Sequence, residues 1–539
     1  MLAGEAAGRA LAELGVRQVF GVVGSGNFHV TNALVEGGAR FVATRHEGGA
    51  ATMADAYARM SGEVAAVTVH QGCGLTNALT GVAEAAKSRT PLLVLAAEAT
   101  VPGSNFFVDQ PALASAVGAA TVRVASAETA LDDVARAYAL ARDERRTVVV
   151  NLPLDVQGLP VDDGARVQSA AAPAPPPPPD VTELAALLAG ARRPVLIAGR
   201  GARHARAELL ALADACGALV ATSAVAKGLF HGSPWSLDVS GGFASPLAAS
   251  LIAEADVVAG FGCALNMWTL RHGRLIGPSA RVAQVDVDPD AIGRHRAVDV
   301  GVAGDSAAVA SALTVALDGP RPGYRGDELR ARLAAELRWR DVPYDDWGGS
   351  GRIDPRTLTI ALDDLLPAER VVAVDSGNFM GYPSMFLSVP DEFGFCFTQA
   401  FQSIGLGLAT AIGAALARPD RLPVAALGDG GALMAAAELD TVRRLGLPMV
   451  VVVYNDDAYG AEVHHFAGGE PLDTVTFPDT DIAAVGAGYG FDAVTARSVA
   501  DLAGVRAWLD GDRGRPLLVD AKVAAPQGSW WLEEAFRGH

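Results

Sequence analysis

The sequence predicts an α/β protein made of three doubly wound domains, each a parallel sheet with helices on both faces. First, short apolar, β-rich runs alternate with Ala- and Leu-rich helical stretches along all 539 residues, the pattern of parallel strands covered on both sides. Second, composition breaks twice. Residues 169 to 180 read Ser-Ala-Ala-Ala-Pro-Ala, five prolines and an Asp, a stiff polyproline spacer, and Gly-Pro-Arg-Pro-Gly at 319 to 323 precedes Gly348-Gly349-Ser350-Gly351. Third, the region around residue 430 reads strand, glycine turn, helix, strand, polar turn, which is a βαβ unit. The expected domains are 1–165, 181–345 and 353–539.

The strand runs fall in order. Arg40 to Ala43 and Thr147 to Asn151 belong to the first domain, and Val195 to Ala198, Val257 to Gly260 and Val282 to Val287 to the second. The third has Val371 to Val374, Val424 to Leu427, Met449 to Tyr454 and Leu517 to Val519, with a helix expected over Leu433 to Leu445. With 50% hydrophobic side chains the chain can bury several cores. A formal charge of −18 argues against nucleic acid or an anionic membrane as partner. The four cysteines form no CxxC pair, so neither a disulfide framework nor a zinc site is indicated, and a reducing cytoplasm is the simplest home. Glu5, Arg9 and Glu13 interrupt any secretory signal, and no run of about 18 apolar residues occurs.

The chemistry concentrates in Gly428-Asp429-Gly430 and Asn455-Asp456-Asp457. Each follows a strand, so the βαβ geometry turns Asp429 and Asp456 toward one crevice. Beside them Gly430, Gly431 and Ala432 open a helix whose free N–H groups suit a phosphate. Two hard oxygen ligands next to an anion cradle describe a Mg²⁺ site that keeps part of its shell for a diphosphate. Either half alone is also explained by an ordinary turn. Together, with the 24 residues 431 to 454 between Gly430 and Asn455, they have the spacing of the thiamine-diphosphate fingerprint, GDG followed by NN. The chain resembles the acetolactate synthase, benzaldehyde lyase and pyruvate decarboxylase superfamily over nearly its whole length. Asp456 departs from the family's second Asn and adds a negative charge. The resemblance implies metal ligation by Asp429, Asp456 and Ala458, diphosphate contacts from Gly428, Gly430, Gly431, Ala432, Asn455, Gly460 and Ala461, and a second loop, Gly377 and Asn378, on the far side of the diphosphate.

The first domain carries a second element. Arg45-His46-Glu47, followed by small residues and then Met53-Ala54 and Tyr57-Ala58-Arg59, looks like the family's RHE-x-x-A-x-x-MA-x-x-YAR segment. Its Glu hydrogen-bonds the aminopyrimidine ring, which makes Glu47 both cofactor-binding and catalytic. A partly desolvated carboxylate can exchange the proton that the cofactor's amino group needs for C2 deprotonation. Thr398 to Gly407 resembles the family's G-[ST]-[MI]-G segment, in which Ile404 would wedge between the two rings. Gln402 there replaces a Gly whose carbonyl accepts from the cofactor amine. Val69 to Asn77 resembles the S-G-P-G-A-T-N turn, placing His70 and Asn77 near the cofactor. Gln110 of Phe107-Val108-Asp109-Gln110 matches the Gln that lies near the reactive carbon in benzaldehyde lyase-like members. Glu462 falls where pyruvate decarboxylase-like enzymes carry an active-site Glu.

Ser25, in Gly24-Ser25-Gly26-Asn27, stands where simple 2-keto acid decarboxylases of the yeast type place a proton-donating Asp, which favours carboligation. In the middle domain Gly199-Arg200-Gly201 and Val285-Asp286-Val287-Asp288 echo a dinucleotide fold, and acetolactate synthase-like relatives hold FAD there. Gly262-Cys263-Ala264-Leu265-Asn266 replaces the flavin-contacting run, which weighs against FAD. The resemblance therefore implies a thiamine-diphosphate- and Mg²⁺-dependent, acetolactate synthase-like carboligase acting on a 2-keto acid and a carbonyl acceptor, as a homodimer or homotetramer with active sites at the subunit interface. The alternatives are a decarboxylase or 2-hydroxyacyl lyase, a homologue that binds the cofactor without catalysis, and a flavin or nicotinamide oxidoreductase.

Overall fold

A computed structural model describes residues 1–162, 164–168 and 178–535. The expected polyproline spacer at 169 to 180 lies largely outside the described residues. Among the described residues eighteen strands form three six-stranded sheets, and every registered pairing is parallel.

The first sheet holds β1 (Gln18–Gly21), β2 (Arg40–Ala43), β3 (Ala65–Val69), β4 (Leu92–Glu98), β5 (Ala120–Arg123) and β6 (Thr147–Pro153) in the order β2-β1-β3-β4-β6-β5. The second holds β7 (Pro194–Ala198), β8 (Leu219–Thr222), β9 (Ser236–Val239), β10 (Val257–Phe261), β11 (Arg281–Asp286) and β12 (Val300–Ala303), ordered β12-β11-β10-β7-β8-β9. The third holds β13 (Arg370–Val374), β14 (Phe395–Phe397), β15 (Leu422–Gly428), β16 (Val450–Asn455), β17 (Asp492–Ala496) and β18 (Leu517–Lys522), ordered β14-β13-β15-β16-β18-β17. Central strands such as β3, β4 and β6 are buried throughout, which is why they read as continuous Val, Leu and Ala runs rather than alternating ones. Each order reverses beside its first strand, leaving a crevice at the carboxyl ends where a ligand can enter.

The first and third domains share a core. Helix Glu47–Ser61 lies on helix Gly407–Ala417, and Met53, Ala54, Leu408 and Ile412 are buried in one cluster with residues of both sheets. Small side chains make this close approach possible.

The expected helix Leu433–Leu445 is corrected. The helical path begins at Asp429, ends its first segment at Met434, passes through a 3-10 turn at Ala436–Glu438 and resumes over Leu439–Arg444. The turn aims Glu438 at the first domain, where its Oε1 accepts from the Arg45 and His46 amides at 3.0 Å each.

Candidate active site

Sheet register brings the two carboxylates together. β15 pairs with β16 so that Leu427 faces Val453 and Gly428 faces Tyr454. Asp429 follows the end of β15 and Asp456 follows the end of β16, so both leave the sheet at one edge. The Ala458 amide donates to Asp429 Oδ2 at 3.1 Å, which curls the second loop over the first. Burial pushes the Asp429 carboxyl up to about 6. It pushes Asp456 up to about 7, with the Asp429 charge adding to the effect.

A cavity of about 150 Å³ opens on this edge. Its walls include Gly377, Asn378, Ile404, Gly428, Asp429, Gly430, Gly431, Asp456, Ala458, Gly460, Ala461 and Glu462, all expected from sequence. Two glycines are required by close approach. A Cβ on Gly431 would strike Asp375 Oδ2, and one on Gly460 would strike Asp456 Oδ2. Ser529 ties down the far wall, its hydroxyl donating to the Asn378 carbonyl at 2.8 Å.

Three expected residues take other places. The Asn455 side chain donates to Asp520 Oδ1 at 2.9 Å and accepts from the Asp457 amide at 3.2 Å, so it shapes the loop instead of facing the cavity. Ala432 is buried in the core shared by the first and third domains. Gln402 is exposed, at a φ of 60°.

Phe379, Tyr454 and Tyr459 also line the cavity without having been foreseen. Phe379 stacks on Tyr454 with ring centroids 5.2 Å apart. In the sequence Tyr454 reads only as a strand residue. Asp375 is buried behind the wall and accepts from the Ser376, Gly405 and Leu406 amides at 2.8, 2.9 and 3.2 Å. Burial pushes its carboxyl up to about 6.

The remaining candidates sit at the carboxyl end of the first sheet. Glu47 opens helix Glu47–Ser61, is 8% exposed, and its Oε2 accepts from Asn77 Nδ2 at 3.0 Å. His70 Nδ1 accepts from the Gly26 amide at 3.4 Å, with the ring edge-on to Phe106. Gln110 is buried with both ends of its amide engaged: its oxygen accepts from the Gly72 amide and its nitrogen donates to Asn151 Oδ1, each at 3.0 Å. It braces the turn before Asn77. Among the described residues none of these four lines the cavity, and 150 Å³ falls short of the roughly 300 Å³ or more typical of small-molecule sites. The cavity is the size of one end of a cofactor.

The residues fit a divalent cation by their donor set. Among the described residues no group of three or more His, Cys, Asp or Glu could hold a metal. Two buried carboxylates, of which Asp429 raises the proton affinity of Asp456, nonetheless leave negative charge that a cation would neutralise. The rest of an oxygen shell would come from the Ala458 carbonyl, water and a diphosphate.

A Cβ on Gly199 or Gly201 would collide with Gly262, so close packing on the end of β10 accounts for both glycines. The Arg200 guanidinium donates to the Ser88 carbonyl of the first domain.

Comparison with known proteins agrees with this arrangement. The family profiles of the thiamine pyrophosphate enzymes match in chain order: the N-terminal TPP binding domain at residues 1–117, the central domain at 181–313 and the C-terminal TPP binding domain at 375–521. A probable 2-ketoarginine decarboxylase of Pseudomonas aeruginosa is 32% identical over 508 residues, covering 91% of this chain and 88% of that one. A sulfoacetaldehyde acetyltransferase of Rhodobacter capsulatus is 29% identical, over 98% and 96% of the two chains. The large subunit of acetolactate synthase isozyme 2 from Escherichia coli is 29% identical, over 84% and 82%. With three family domains in order and a full-length relative above 30% identity, the chain belongs to the thiamine pyrophosphate enzyme family and is a thiamine-diphosphate-dependent transferase or lyase.

Proposed function

We propose that this enzyme is an acetolactate synthase-like carboligase that transfers the acyl unit of a 2-keto acid to a second carbonyl compound, with Mg²⁺ beside the diphosphate. The observation that carries the proposal is the loop after β1. Its tip is the exposed Ser25, where the resemblance would put the acid of a simple decarboxylase. Elsewhere in the first domain Asp109 caps its helix by accepting from the Ala112 amide, and Glu98 pairs with Arg123 at 2.9 Å. The loop after β1 thus carries no acid of its own to hand a proton to the decarboxylated donor, and a second carbonyl can compete for it.

In this reading Asp429, Asp456 and the Ala458 carbonyl hold the metal. The Gly430 and Gly431 amides and the Gly377–Asn378 loop hold the diphosphate, and Ile404 separates the two rings. Glu47, fixed by Asn77, exchanges a proton with the aminopyrimidine nitrogen. His70, Glu462 and Gln402 face the substrate. When bound, thiamine diphosphate supplies the carbon nucleophile that adds to the 2-keto group.

The names of the acetolactate synthase and the acetyltransferase among the relatives favour transfer. That of the 2-ketoarginine decarboxylase favours the alternative, simple decarboxylation. A panel of 2-keto acids, offered with and without aldehyde and ketone acceptors and read by mass spectrometry, decides between them. Coupled products that require an acceptor support carboligation. Free aldehyde in equal yield with and without acceptor would make it a decarboxylase.

A further inference from the structure

The irregular segment 398–406 carries Gln402 and Ile404, and a buried carboxylate holds each of its ends. At the far end Asp375, from the same domain, takes the Gly405 and Leu406 amides. At the near end the Ala400 and Phe401 amides donate to Glu84 Oε1 and Oε2 at 3.0 and 2.6 Å. Glu84 belongs to the first domain, on helix Cys73–Lys87, and is fully buried. One side chain thus takes two main-chain donors from an irregular loop of another domain.

The arrangement around Glu84 exceeds what a structural ion pair needs. Arg59 donates to Glu84 Oε1 at 2.8 Å, but it is already held by Asp55, through Nε at 2.8 Å and Nη2 at 2.6 Å. A second buried carboxylate on one guanidinium is costly unless its oxygens find further donors. Here those donors are the loop amides. Arg59 also donates to the Phe397 carbonyl at 2.9 Å, just before the segment begins. Between the two anchors Gln402 is held at a φ of 60°, a left-handed conformation that a non-glycine residue keeps only when its surroundings impose it.

We propose that Glu84 is a positioning residue for the reaction: from the first domain it sets where the Gln402–Ile404 loop stands against the cofactor rings. The same helix carries Asn77, which holds Glu47. Residues 77 and 84 are about two turns apart on one face, so a single helix holds both a proton-exchanging carboxylate and a ring-separating loop, which in an interface-built assembly serve neighbouring sites. The inference rests on the proposed role of Ile404.

Glu84→Gln tests it. The Ala400 and Phe401 amides use different oxygens of Glu84, and in Gln one of those two positions becomes an NH2 donor that faces a loop N–H instead of accepting from it, while Arg59 keeps Asp55. Glu84→Asp is the second variant, retaining the charge beside Arg59 but drawing the carboxylate back by one methylene. The readouts are the Kd for thiamine diphosphate with Mg²⁺, the near-ultraviolet circular dichroism of the bound cofactor, the H/D exchange rate at its C2, and the melting temperature. Expected for both variants are a melting temperature within a few degrees of wild type and a Kd within about threefold, because the diphosphate anchors are untouched. The cofactor's dichroism should change, and C2 exchange should fall on the order of 10- to 100-fold, the scale of a displacement near 1 Å. Wild-type dichroism and exchange in Glu84→Gln would overturn the proposal. So would unfolding of both variants, or a loss of affinity as large as the loss of exchange, since either marks a purely structural role. Absence of a cofactor signal in the wild-type protein would instead refute the site reading itself.

Discussion

Glu47 has one side-chain partner, Asn77, whose amide donates to one carboxylate oxygen and leaves the other for a ligand. Glu47→Gln should therefore fold and bind thiamine diphosphate, yet slow C2 exchange on the order of 10²- to 10⁴-fold, the usual worth of a placed acid–base group. Exchange by NMR at wild-type rate would refute the assignment. Asp429→Ala removes one of the two carboxylates at the cavity edge. Calorimetry should show that Mg²⁺ no longer tightens cofactor binding, because the diphosphate then meets Asp456 unscreened. Asp375 gives a pH prediction. Burial raises its native pKa from 3.8 to about 6, so the native state holds its proton more tightly than the unfolded chain does. Its contribution is full below about pH 4 and fades as pH rises through about 6, by up to about 3 kcal/mol. Asp375→Asn should remove that slope from denaturant stability measured between pH 4 and 8.

Among the elements, the strands were legible and the cross-domain contacts were not. Arg40–Ala43 coincides with its expected run, and Leu517–Lys522 extends its own by three residues. Fully buried parallel strands need apolar side chains on both faces, and that requirement is local. The Asp429–Asp456 pairing was legible for the same reason, since a βαβ unit places its strand ends by topology alone. The break in the helix after Asp429 was not. It serves Glu438, whose partners Arg45 and His46 lie nearly 400 positions away. Glu84 and Asn455 hide in the same way, one reading as an ordinary helix residue and the other as part of a motif, until the tertiary structure shows what they hold. The helix pair between the first and third domains makes its own prediction. A Cβ on Gly413 of helix Gly407–Ala417 would collide with the Met53 carbonyl of helix Glu47–Ser61. Backbone cannot give way as a side-chain end can. Gly413→Ala should cost about 1–3 kcal/mol, read as a lower melting temperature, whereas Gly446→Ala, at an open position, should show only the strain of a positive φ.

At the scale of the whole molecule, the proposed site falls into two halves. Asp429, Asp456 and Ile404 line a cavity in the third domain, and Glu47, with Asn77, stands outside it in the first. Large apolar side chains lie exposed on the loops and helix ends that follow strands of both sheets: Phe28, Phe106 and Phe107 on the first, and Phe401, Leu433 and Met434 on the third. Such surfaces mark places where protein packs on protein. A homodimer or homotetramer that sets the first domain of one subunit against the third domain of another would cover them and complete each site. The complementation that follows is decisive. Glu47→Gln and Asp429→Ala are each expected to be inactive as pure proteins, and equal amounts, mixed and reassembled, give mixed dimers as about half of the population. Each mixed dimer has one site carrying both lesions and one carrying neither, so activity should return to about a quarter of wild type. If each site were built within one chain, every chain would keep its lesion and nothing would return. Absence of recovery, with subunit exchange shown by native mass spectrometry, would place the site within a single subunit.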